Sequence, residues 1–183
     1  MVNEGGGWTA IQRRVSGSVR FNRTWAEYKD GFGFPNDSYW IGNDVIHQLT
    51  KRRNSSLYVS ITLTNGKRLY ELYNQFSVAD ETNSYRLFLG GPATGTLGDS
   101  MSDTGSSYYD LSGMSFSTPD RDNDKWSGNC AADSNNRGGW WFNFCNHAFL
   151  NGEWSPELWG RSWYPTVTGS KQIKDTLMMI KPN

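Results

Sequence analysis

Three aspartates alternate along one polar stretch of the chain, at positions 120, 122 and 124 of the segment DRDNDKWSGNC. Alternating carboxylates on an extended loop can converge on one cation, and Ca²⁺ takes six to eight oxygen ligands from carboxylates, carbonyls and water. An EF-hand would need glycine at its sixth position and glutamate at its twelfth, where this protein has Lys125 and Ala131. The spacing is therefore compatible with a different Ca²⁺ loop or with a solvated acidic turn, and it leaves both open.

Aromatic side chains are the second group that could contact a ligand. They form two clusters, Trp140-Trp141-Phe142 and Trp154, Trp159, Trp163 and Tyr164. Aromatic faces stack on sugar rings and acetyl methyl groups, but they also fill hydrophobic cores. The tryptophans of the second cluster lie among glycine, proline, serine and charged residues, so we expect at least one of them to line a pocket.

The only two cysteines, Cys130 and Cys145, have 14 residues between them. This spacing is consistent with one disulfide that closes a short loop and contributes about 3 kcal/mol in the chain-entropy model. A zinc site is not indicated, because there is no CxxC motif and the only histidines are His47 and His147. The cysteine pair and three N-glycosylation sequons favour a secreted protein. The sequons begin at Asn22, Asn36 and Asn54.

Composition narrows the classes of function. The 183 residues are enough for a sizeable core, and 18 basic residues balance 18 acidic ones, which gives no sign of a nucleic-acid or anionic-membrane partner. The densest basic cluster, Lys51-Arg52-Arg53, is interpreted as a solvated helix end. The sequence has no apolar run that could span a membrane and no G-x-S-x-G, H-E-x-x-H or P-loop motif. We therefore expect a binding protein and no enzyme.

Regular structure is predicted mainly for the first half of the chain. A capping box at Thr24 and Glu27 begins a short helix, and Asn43 is the predicted N-cap of a second helix. Alternating runs on either side of Asn65-Gly66 predict a hairpin. Other strands are predicted at residues 7–15, 85–89, 140–144 and 176–180. Because the second half is rich in loops, we expect function between about residues 99 and 165.

Long motifs follow one another along nearly the whole sequence. They are GGGWTAIQRRVSGSVRFNRTWAEYKDGFG at 5–33, YWIGNDVIHQLT at 39–50, VADETNSYRLFLGG at 78–91, FSTPDRDNDKWSGNCA at 116–131, WWFNFCNHAFLNG at 140–152 and the terminal MMIKP. In this order they resemble the fibrinogen-related (fibrinogen C-terminal-like) domain, the family of ficolins, tachylectins, fibrinogen chain ends and angiopoietins.

The resemblance implies an α+β fold with a twisted, mainly antiparallel sheet, short helices and a loop-rich Ca²⁺-binding region. One domain would span residues 1–183 without the family's N-terminal subdomain. Its sheet and helix part would cover about 5–98, the Ca²⁺ and ligand loops about 99–170, and a closing strand about 174–181. Segments further upstream in the full-length parent would make it oligomeric.

The resemblance also implies one structural Ca²⁺ ion. The side chains of Asp122 and Asp124 would bind it together with the carbonyls of Trp126 and Gly128, and Asp120 would lie nearby rather than bind directly.

A disulfide between Cys130 and Cys145 and a neighbouring ligand pocket are implied as well. In such domains the peptide bond before the second cysteine, here Phe144–Cys145, is often cis, which turns the following N–H toward the pocket. The polar floor would consist of Cys145, Asn146 and His147, and the wall of Trp154, Ser155 and Trp163.

Several residues depart from the family pattern near this pocket. Asn146 replaces the usual histidine, the loop between the cysteines is longer around residues 134–137, and the segment after Gly152 is shorter. Trp154-Ser155 replaces a tyrosine-containing pair. Asn146 still offers a donor and an acceptor, and Trp154 can still stack on a methyl or sugar face.

Two functions are compatible with the resemblance. The first is a secreted innate-immune lectin that recognises N-acetylated sugars, such as N-acetylglucosamine, on microbial surfaces. The alternative is a protein-interaction module that binds a peptide or receptor through the same pocket, in which Asp133 would pair with a peptide amine. The tryptophan in place of an acidic residue favours the lectin, and neither function involves nucleic acid or insertion into a membrane.

Overall fold

The computed structural model describes residues 7–102, 104–134, 137–155 and 160–183 of the protein. Asn135 and Asn136 of the predicted insertion, and Trp159 of the second aromatic cluster, lie outside the described residues. Within these ranges, no helix is long and apolar enough to cross a membrane.

The fold is α+β, as predicted, and is dominated by one antiparallel sheet. Its strands are β1 (Thr9–Arg14), β2 (Phe32–Gly33), β3 (Tyr39–Trp40), β4 (Ser55–Leu63), β5 (Arg68–Val78), β6 (Leu87–Gly95) and β9 (Ile173–Pro182). They are arranged in the order β2-β3-β1-β9-β4-β5-β6. A second sheet pairs β7 (Ala148–Phe149) with β8 (Ser162–Trp163). The predicted closing strand thus lies at the centre of the main sheet, between β1 and β4.

The hairpin predicted around Asn65-Gly66 is confirmed. Strands β4 and β5 pair antiparallel with Ile61 opposite Leu69. The N–H of Gly66 donates to the carbonyl of Leu63 at 2.9 Å, and the φ of Gly66 is +87°, which favours glycine at this corner. Strand β5 then continues to Val78.

Helix α1 (Trp25–Asp30) begins with the predicted capping box, in which Thr24 and Glu27 exchange hydrogen bonds. Helix α2 (Asn43–Thr50) is also present, but the predicted N-cap is wrong by one residue. Gly42, with a φ of +109°, occupies the N-cap position. The Asn43 side chain instead accepts a hydrogen bond from Trp40 Nε1 at 3.0 Å, so its oxygen is occupied by the core rather than by the helix end.

The strand predicted at residues 140–144 does not form. Trp140 makes only an isolated bridge to Ser117, and the N–H of Asn143 donates to the carbonyl of Cys145, only two residues ahead. This tight turn bends the backbone away from an extended path. The predicted strand at 85–89 does form, but as β6 it extends to Gly95.

A buried aromatic core joins the sheet to the loops. The ring of Phe116 contacts Tyr28 of α1, Trp40 of β3 and Trp141, with centroid distances between 5.2 and 6.0 Å. The first predicted aromatic cluster therefore fills the core, since Trp140, Trp141 and Phe142 are all fully buried. This core fixes the base of the loop region on one side of the sheet.

Candidate functional site

Asp120 connects the acidic loop to helix α1. Its carboxylate accepts hydrogen bonds from the N–H of Trp25, the first residue of α1, at 2.9 Å and from the Thr118 hydroxyl at 2.8 Å. The guanidinium of Arg121 lies 3.9 Å from the centre of the Trp25 ring. A carboxylate at a helix N-terminus stabilises the helix, so Asp120 has a structural role in holding the loop.

Asp122 and Asp124 lie further along this loop. The Asp122 carboxylate accepts from the N–H of Asp124 at 3.1 Å. The two oxygens of Asp124 accept from the N–H groups of Trp126 and Cys130, both at 2.8 Å. Burial raises the pKa of Asp124 to about 6, and the neighbouring Asp122 adds to this rise, against the lowering effect of the two N–H groups. The loop therefore holds two adjacent carboxylates at an electrostatic cost.

The donor set of this loop fits a hard cation such as Ca²⁺. Among the described residues, neither Asp122 nor Asp124 forms an ion pair. In the same part of the protein, no backbone hydrogen bond reaches the carbonyls of Trp126 or Gly128. Two carboxylates and two carbonyls agree with the oxygen preference of Ca²⁺. The described residues contain no cluster of three or more His, Cys, Asp or Glu side chains that could hold a metal, so carbonyls would have to contribute.

The Cys130–Cys145 disulfide is present, with a Cα–Cα distance of 5.3 Å. It joins the acidic loop to the segment that contains the predicted pocket floor. Asn143 adds a second anchor, because its buried side-chain amide donates to the carbonyls of Ser107 and Asp110, both at 2.8 Å. The acidic loop, residues 107–110 and the segment that begins at Asn143 are thus held together.

The predicted cis bond before Cys145 is wrong. Within the described residues the one cis peptide is Tyr164–Pro165, and the Phe144–Cys145 bond is trans. Cys145 instead has a φ of +53°, in the left-handed region, and its carbonyl accepts from the N–H of Asn143. The backbone turns at this position through a positive φ.

An aromatic surface surrounds the segment from Phe144 to His147. We call it the aromatic rim, and it consists of Tyr108, Tyr109, Phe144, His147 and Tyr164. The Tyr108 ring meets Phe144 edge-on at 5.1 Å, whereas the His147 ring stacks on Tyr109 at 3.8 Å and lies 4.8 Å from Tyr164. Tyr108, Phe144 and Tyr164 are 59%, 41% and 49% exposed. Exposed rings that are grouped in this way indicate a contact surface.

Two polar groups lie within or beside the rim. Burial lowers the pKa of His147, and Asp110 partly opposes this shift, so the imidazole is neutral near pH 7. The side-chain amide nitrogen of Asn146 is buried and has no hydrogen-bond partner among the described residues. A buried donor without a partner costs free energy, which a ligand carbonyl or carboxylate could recover.

The predicted pocket wall is not assembled as expected. Trp163 is fully buried and donates from Nε1 to the carbonyl of Gly98 at 2.6 Å, so it belongs to the core. Trp154 packs against two buried arginines, with the guanidinium of Arg161 3.9 Å and that of Arg14 5.5 Å from its ring. Ser155 follows Trp154, and its N–H donates to the carbonyl of Glu153. Of the predicted ligand-binding residues, Phe144 contacts the ring of Tyr108, and His147 contacts that of Tyr109.

Sequence reasoning missed Tyr108 and Tyr109 and did not assign Tyr164 to the pocket. The sequence does contain a signal that Tyr108 and Tyr109 lie outside the core. They are adjacent tyrosines in a segment rich in serine, glycine and aspartate, and they lack the apolar neighbours of a core strand. What the sequence could not show is that Asn143 binds the carbonyls of Ser107 and Asp110 and so brings this segment against Phe144.

Comparison with known proteins identifies the family. The family model for the C-terminal globular domain of the fibrinogen beta and gamma chains matches residues 1–183. Human fibroleukin is 40% identical over 198 residues, which cover 100% of this chain and 44% of the relative. Mouse angiopoietin-2 is 41% identical over 184 residues, covering 97% of this chain and 35% of the relative. The sequence spans less than half the length of both relatives.

Solved structures agree with this assignment. The fibrinogen-like globe domain of human ANGPTL6 superposes with a TM-score of 0.87 at 39% identity, covering 100% of this chain and 81% of that one. The lamprey fibrin D-dimer, complexed with the peptide Gly-His-Arg-Pro-amide, gives a TM-score of 0.84 at 32% identity. The match covers 99% of this protein and 63% of the lamprey one. The peptide bound in the lamprey structure favours the peptide- or protein-binding alternative over the predicted sugar-binding function.

Proposed function

Because this protein belongs to the family of C-terminal globular domains of the fibrinogen beta and gamma chains, we propose that it is a non-catalytic, extracellular protein-interaction domain. It binds a peptide segment of a partner protein at the aromatic rim. The observation that carries the proposal is the lamprey fibrin structure, which has the same fold over 99% of this sequence and is complexed with a short peptide.

The composition of the rim suits a peptide with a positive charge. Exposed tyrosine and phenylalanine faces attract ammonium and guanidinium groups through cation–π interactions. The carboxylate of Asp110 lies close enough to affect the pKa of His147 in the centre of the rim. The buried, unpartnered amide of Asn146 would have to turn outward to donate to a peptide carbonyl. The residues assigned to binding are therefore Phe144, Cys145, Asn146 and His147 together with the three tyrosines.

The extracellular location is supported by two features of the protein. The Cys130–Cys145 disulfide persists in an oxidising compartment. The three sequon asparagines, Asn22, Asn36 and Asn54, are all exposed and therefore open to glycosylation.

We also assign a structural Ca²⁺ ion to the acidic loop, held by the carboxylates of Asp122 and Asp124 and the carbonyls of Trp126 and Gly128. When bound, the ion would offset the repulsion between the two carboxylates. Gly128 suits this tight loop, because a Cβ at this position would meet the Trp126 ring at 2.8 Å. The ion would thereby fix the backbone that leads to Cys130 and the disulfide.

The Ca²⁺ assignment is tested by luminescence of Tb³⁺, excited through the nearby Trp126, with Ca²⁺ as competitor. Asp122→Asn and Asp124→Asn should each weaken Ca²⁺ binding at least tenfold, because half of the carboxylate charge is lost. Asp175→Asn, on β9, is the control and should bind as the unaltered protein does. Equal affinity in all variants would contradict the assignment.

Peptide binding is tested by calorimetric titration with Gly-His-Arg-Pro-amide, its N-acetylated form, N-acetylglucosamine and glucosamine. We expect the free peptide to bind and the sugars not to bind. Tyr108→Ala should weaken peptide binding about five- to thirtyfold, as removal of one exposed aromatic contact does. Tyr70→Ala removes a similarly exposed tyrosine on β5 and should leave binding unchanged.

Two results would contradict peptide binding at the aromatic rim. Binding of N-acetylglucosamine but not of glucosamine, with no heat from either peptide, would overturn the proposal and restore the lectin function. A peptide affinity that Tyr70→Ala lowers as much as Tyr108→Ala would remove the aromatic rim from the binding site.

A further inference from the structure

A second concave surface lies on the sheet half, and its described lining contains no residue of the acidic loop. It is a groove of about 560 Å³ between the end of helix α2 and the strands β5 and β6. We call it the basic groove. Its lining includes Lys51, Arg52 and Arg53, which follow α2, and Arg86, which precedes β6.

The charges of the basic groove are of one sign. Lys51, Arg52, Arg53 and Arg86 are all exposed, and within the described residues none of them forms an ion pair. In that same part of the protein, the groove lining includes no acidic residue. The nearby carboxylate of Asp80 accepts hydrogen bonds from Thr82 and Asn83. Since the whole protein has 18 basic and 18 acidic residues, this is a local segregation of charge.

A solvated helix end explains only part of this arrangement. Cations near a helix C-terminus interact favourably with the helix dipole, and Lys51 is the C-cap residue of α2. Arg52 and Arg53 lie beyond the cap, and Arg86, just before β6, comes 33 or more positions later in the sequence. The fold has therefore added a fourth cation to the cluster that was seen in the sequence.

The side chains of the basic groove favour a ligand with oxyanion groups. Three of the four cations are arginines, whose planar guanidinium groups bind sulfate, phosphate or carboxylate through paired N–H donors. Phe88, 50% exposed, supplies an apolar face in the same groove. A single ring gives no series of platforms on which successive nucleobases could stack. An open groove also suits a linear polymer better than the plane of a lipid bilayer.

We propose that the basic groove binds a linear sulfated polysaccharide of the extracellular matrix through its sulfate and carboxylate groups. The choice of polysaccharide over nucleic acid rests on the extracellular location proposed above. The described lining of this groove shares no residue with the aromatic rim, so the heparin and peptide titrations test separate surfaces.

Asn54 adds a condition to the experiment. This exposed sequon asparagine also lines the basic groove, so a glycan attached there would compete for the space. The protein should therefore be tested after enzymatic removal of its N-glycans, and Asn54→Gln in the glycosylated protein should restore the affinity of the deglycosylated form.

The test is a titration with heparin at several salt concentrations. The groove variant carries Lys51→Ala, Arg52→Ala, Arg53→Ala and Arg86→Ala. The control variant carries Lys67→Ala, Arg68→Ala, Lys171→Ala and Lys174→Ala, which removes the same charge from other exposed positions. We expect each groove cation to contribute about two- to fivefold in affinity and the control variant to stay within about twofold. The salt dependence should decrease by about one ion per groove cation removed.

Several outcomes would overturn the proposal. The first is that the groove variant binds heparin as tightly as the unaltered protein does. The second is that the control variant loses as much heparin affinity as the groove variant. The third is that the groove cations contribute to tighter binding of single-stranded RNA or phosphatidylserine vesicles than of heparin. Because all four side chains are exposed, near-UV circular dichroism should show that the groove variant remains folded. Arg86→Ala alone, which should weaken binding about two- to fivefold, provides a second measurement.

Discussion

The sheet half and the loop region of this domain are held together by different interactions. In the sheet half, long strands such as β4, β5 and β9 pair along their whole length, so each backbone hydrogen bond contributes a small share of the stability. In the loop region, a few side chains bind distant backbone groups, as Asn143 does with Ser107 and Asp110. The disulfide adds one covalent link.

This difference means that stability and binding should respond to different substitutions. A cavity in the sheet lowers the stability of the whole domain but leaves the rim intact in the molecules that are folded. A lost anchor in the loop region moves the rim residues themselves. Measuring both the free energy of unfolding and peptide affinity for each variant therefore separates the two effects.

The largest loss of stability is expected for Ile61→Ala in the centre of the sheet. Ile61 is fully buried on β4, between β5 and β9. Removal of its side chain should lower the free energy of unfolding by about 4 kcal/mol, since the cavity adds to the lost transfer free energy. Urea denaturation measures the loss. Peptide affinity at low temperature, where the protein is folded, should stay the same. A large change in affinity would contradict the separation between stability in the sheet and binding in the loop region.

Removal of the disulfide should have the next largest effect. The double variant Cys130→Ser/Cys145→Ser should lose about 3 kcal/mol, because a loop of this length is no longer closed in the unfolded state. Unlike Ile61→Ala, it should also weaken peptide binding, since Cys145 leads directly into Asn146 and His147. Chemical reduction of the unaltered protein is the control and should reproduce both changes. Unchanged peptide affinity would show that the disulfide does not position the rim.

Asn143→Ala tests a single anchor of the loop region. It leaves the carbonyls of Ser107 and Asp110 without their donor and should cost about 2 kcal/mol. Urea denaturation measures this cost. Peptide affinity, measured by calorimetric titration, should fall as well, because residues 107–110 carry Tyr108 and Tyr109.

Asn151→Ala is a matched control for this anchor. Its buried amide also makes two hydrogen bonds, with Gln12 and with the carbonyl of Gly139, but neither reaches the rim. It should cost a similar free energy of unfolding and leave peptide affinity unchanged. If both variants lose peptide affinity equally, the loss reflects general destabilisation rather than the position of the rim.

The same difference between the regions explains which features could be predicted from the sequence. The hairpin around Asn65-Gly66 and the capping box at Thr24 are local patterns, and the structure confirms both. The α+β class and the disulfide were expected from the resemblance and are present. The pairing of β9 between β1 and β4 joins residues more than 100 positions apart, which no local pattern reveals.

The loop region could be predicted only in part, because single long-range contacts determine the role of each residue. Asp120 belongs to the same alternating pattern as Asp122 and Asp124, yet its carboxylate binds the N-terminus of α1. Trp163 has neighbours typical of an exposed residue, yet it is fully buried and donates to the carbonyl of Gly98. Tyr108 contributes to the rim because Asn143 and the N–H of Phe144 bind the carbonyls of Ser107 and Tyr108.

The smallest effect is expected at helix α1, where the two regions meet. The Glu27 carboxylate accepts from the N–H of Thr24 at 2.8 Å, and this bond, with help from Arg23, lowers the pKa of Glu27. A lowered pKa in the folded state stabilises the protein at pH values above the ordinary pKa of about 4.3, and this contribution is lost as the pH falls through the pKa of the folded state.

Glu27→Gln should therefore lower the free energy of unfolding by roughly 0.5 kcal/mol at pH 7, and the difference in stability from the unaltered protein should shrink toward pH 3. Urea midpoints at both pH values measure this, and a difference that grows on acidification would contradict it. Peptide affinity at pH 7 should not change, because the bonds of Glu27 stay within the first turn of α1, whereas the acidic loop is held by the separate bond from the Trp25 N–H to Asp120.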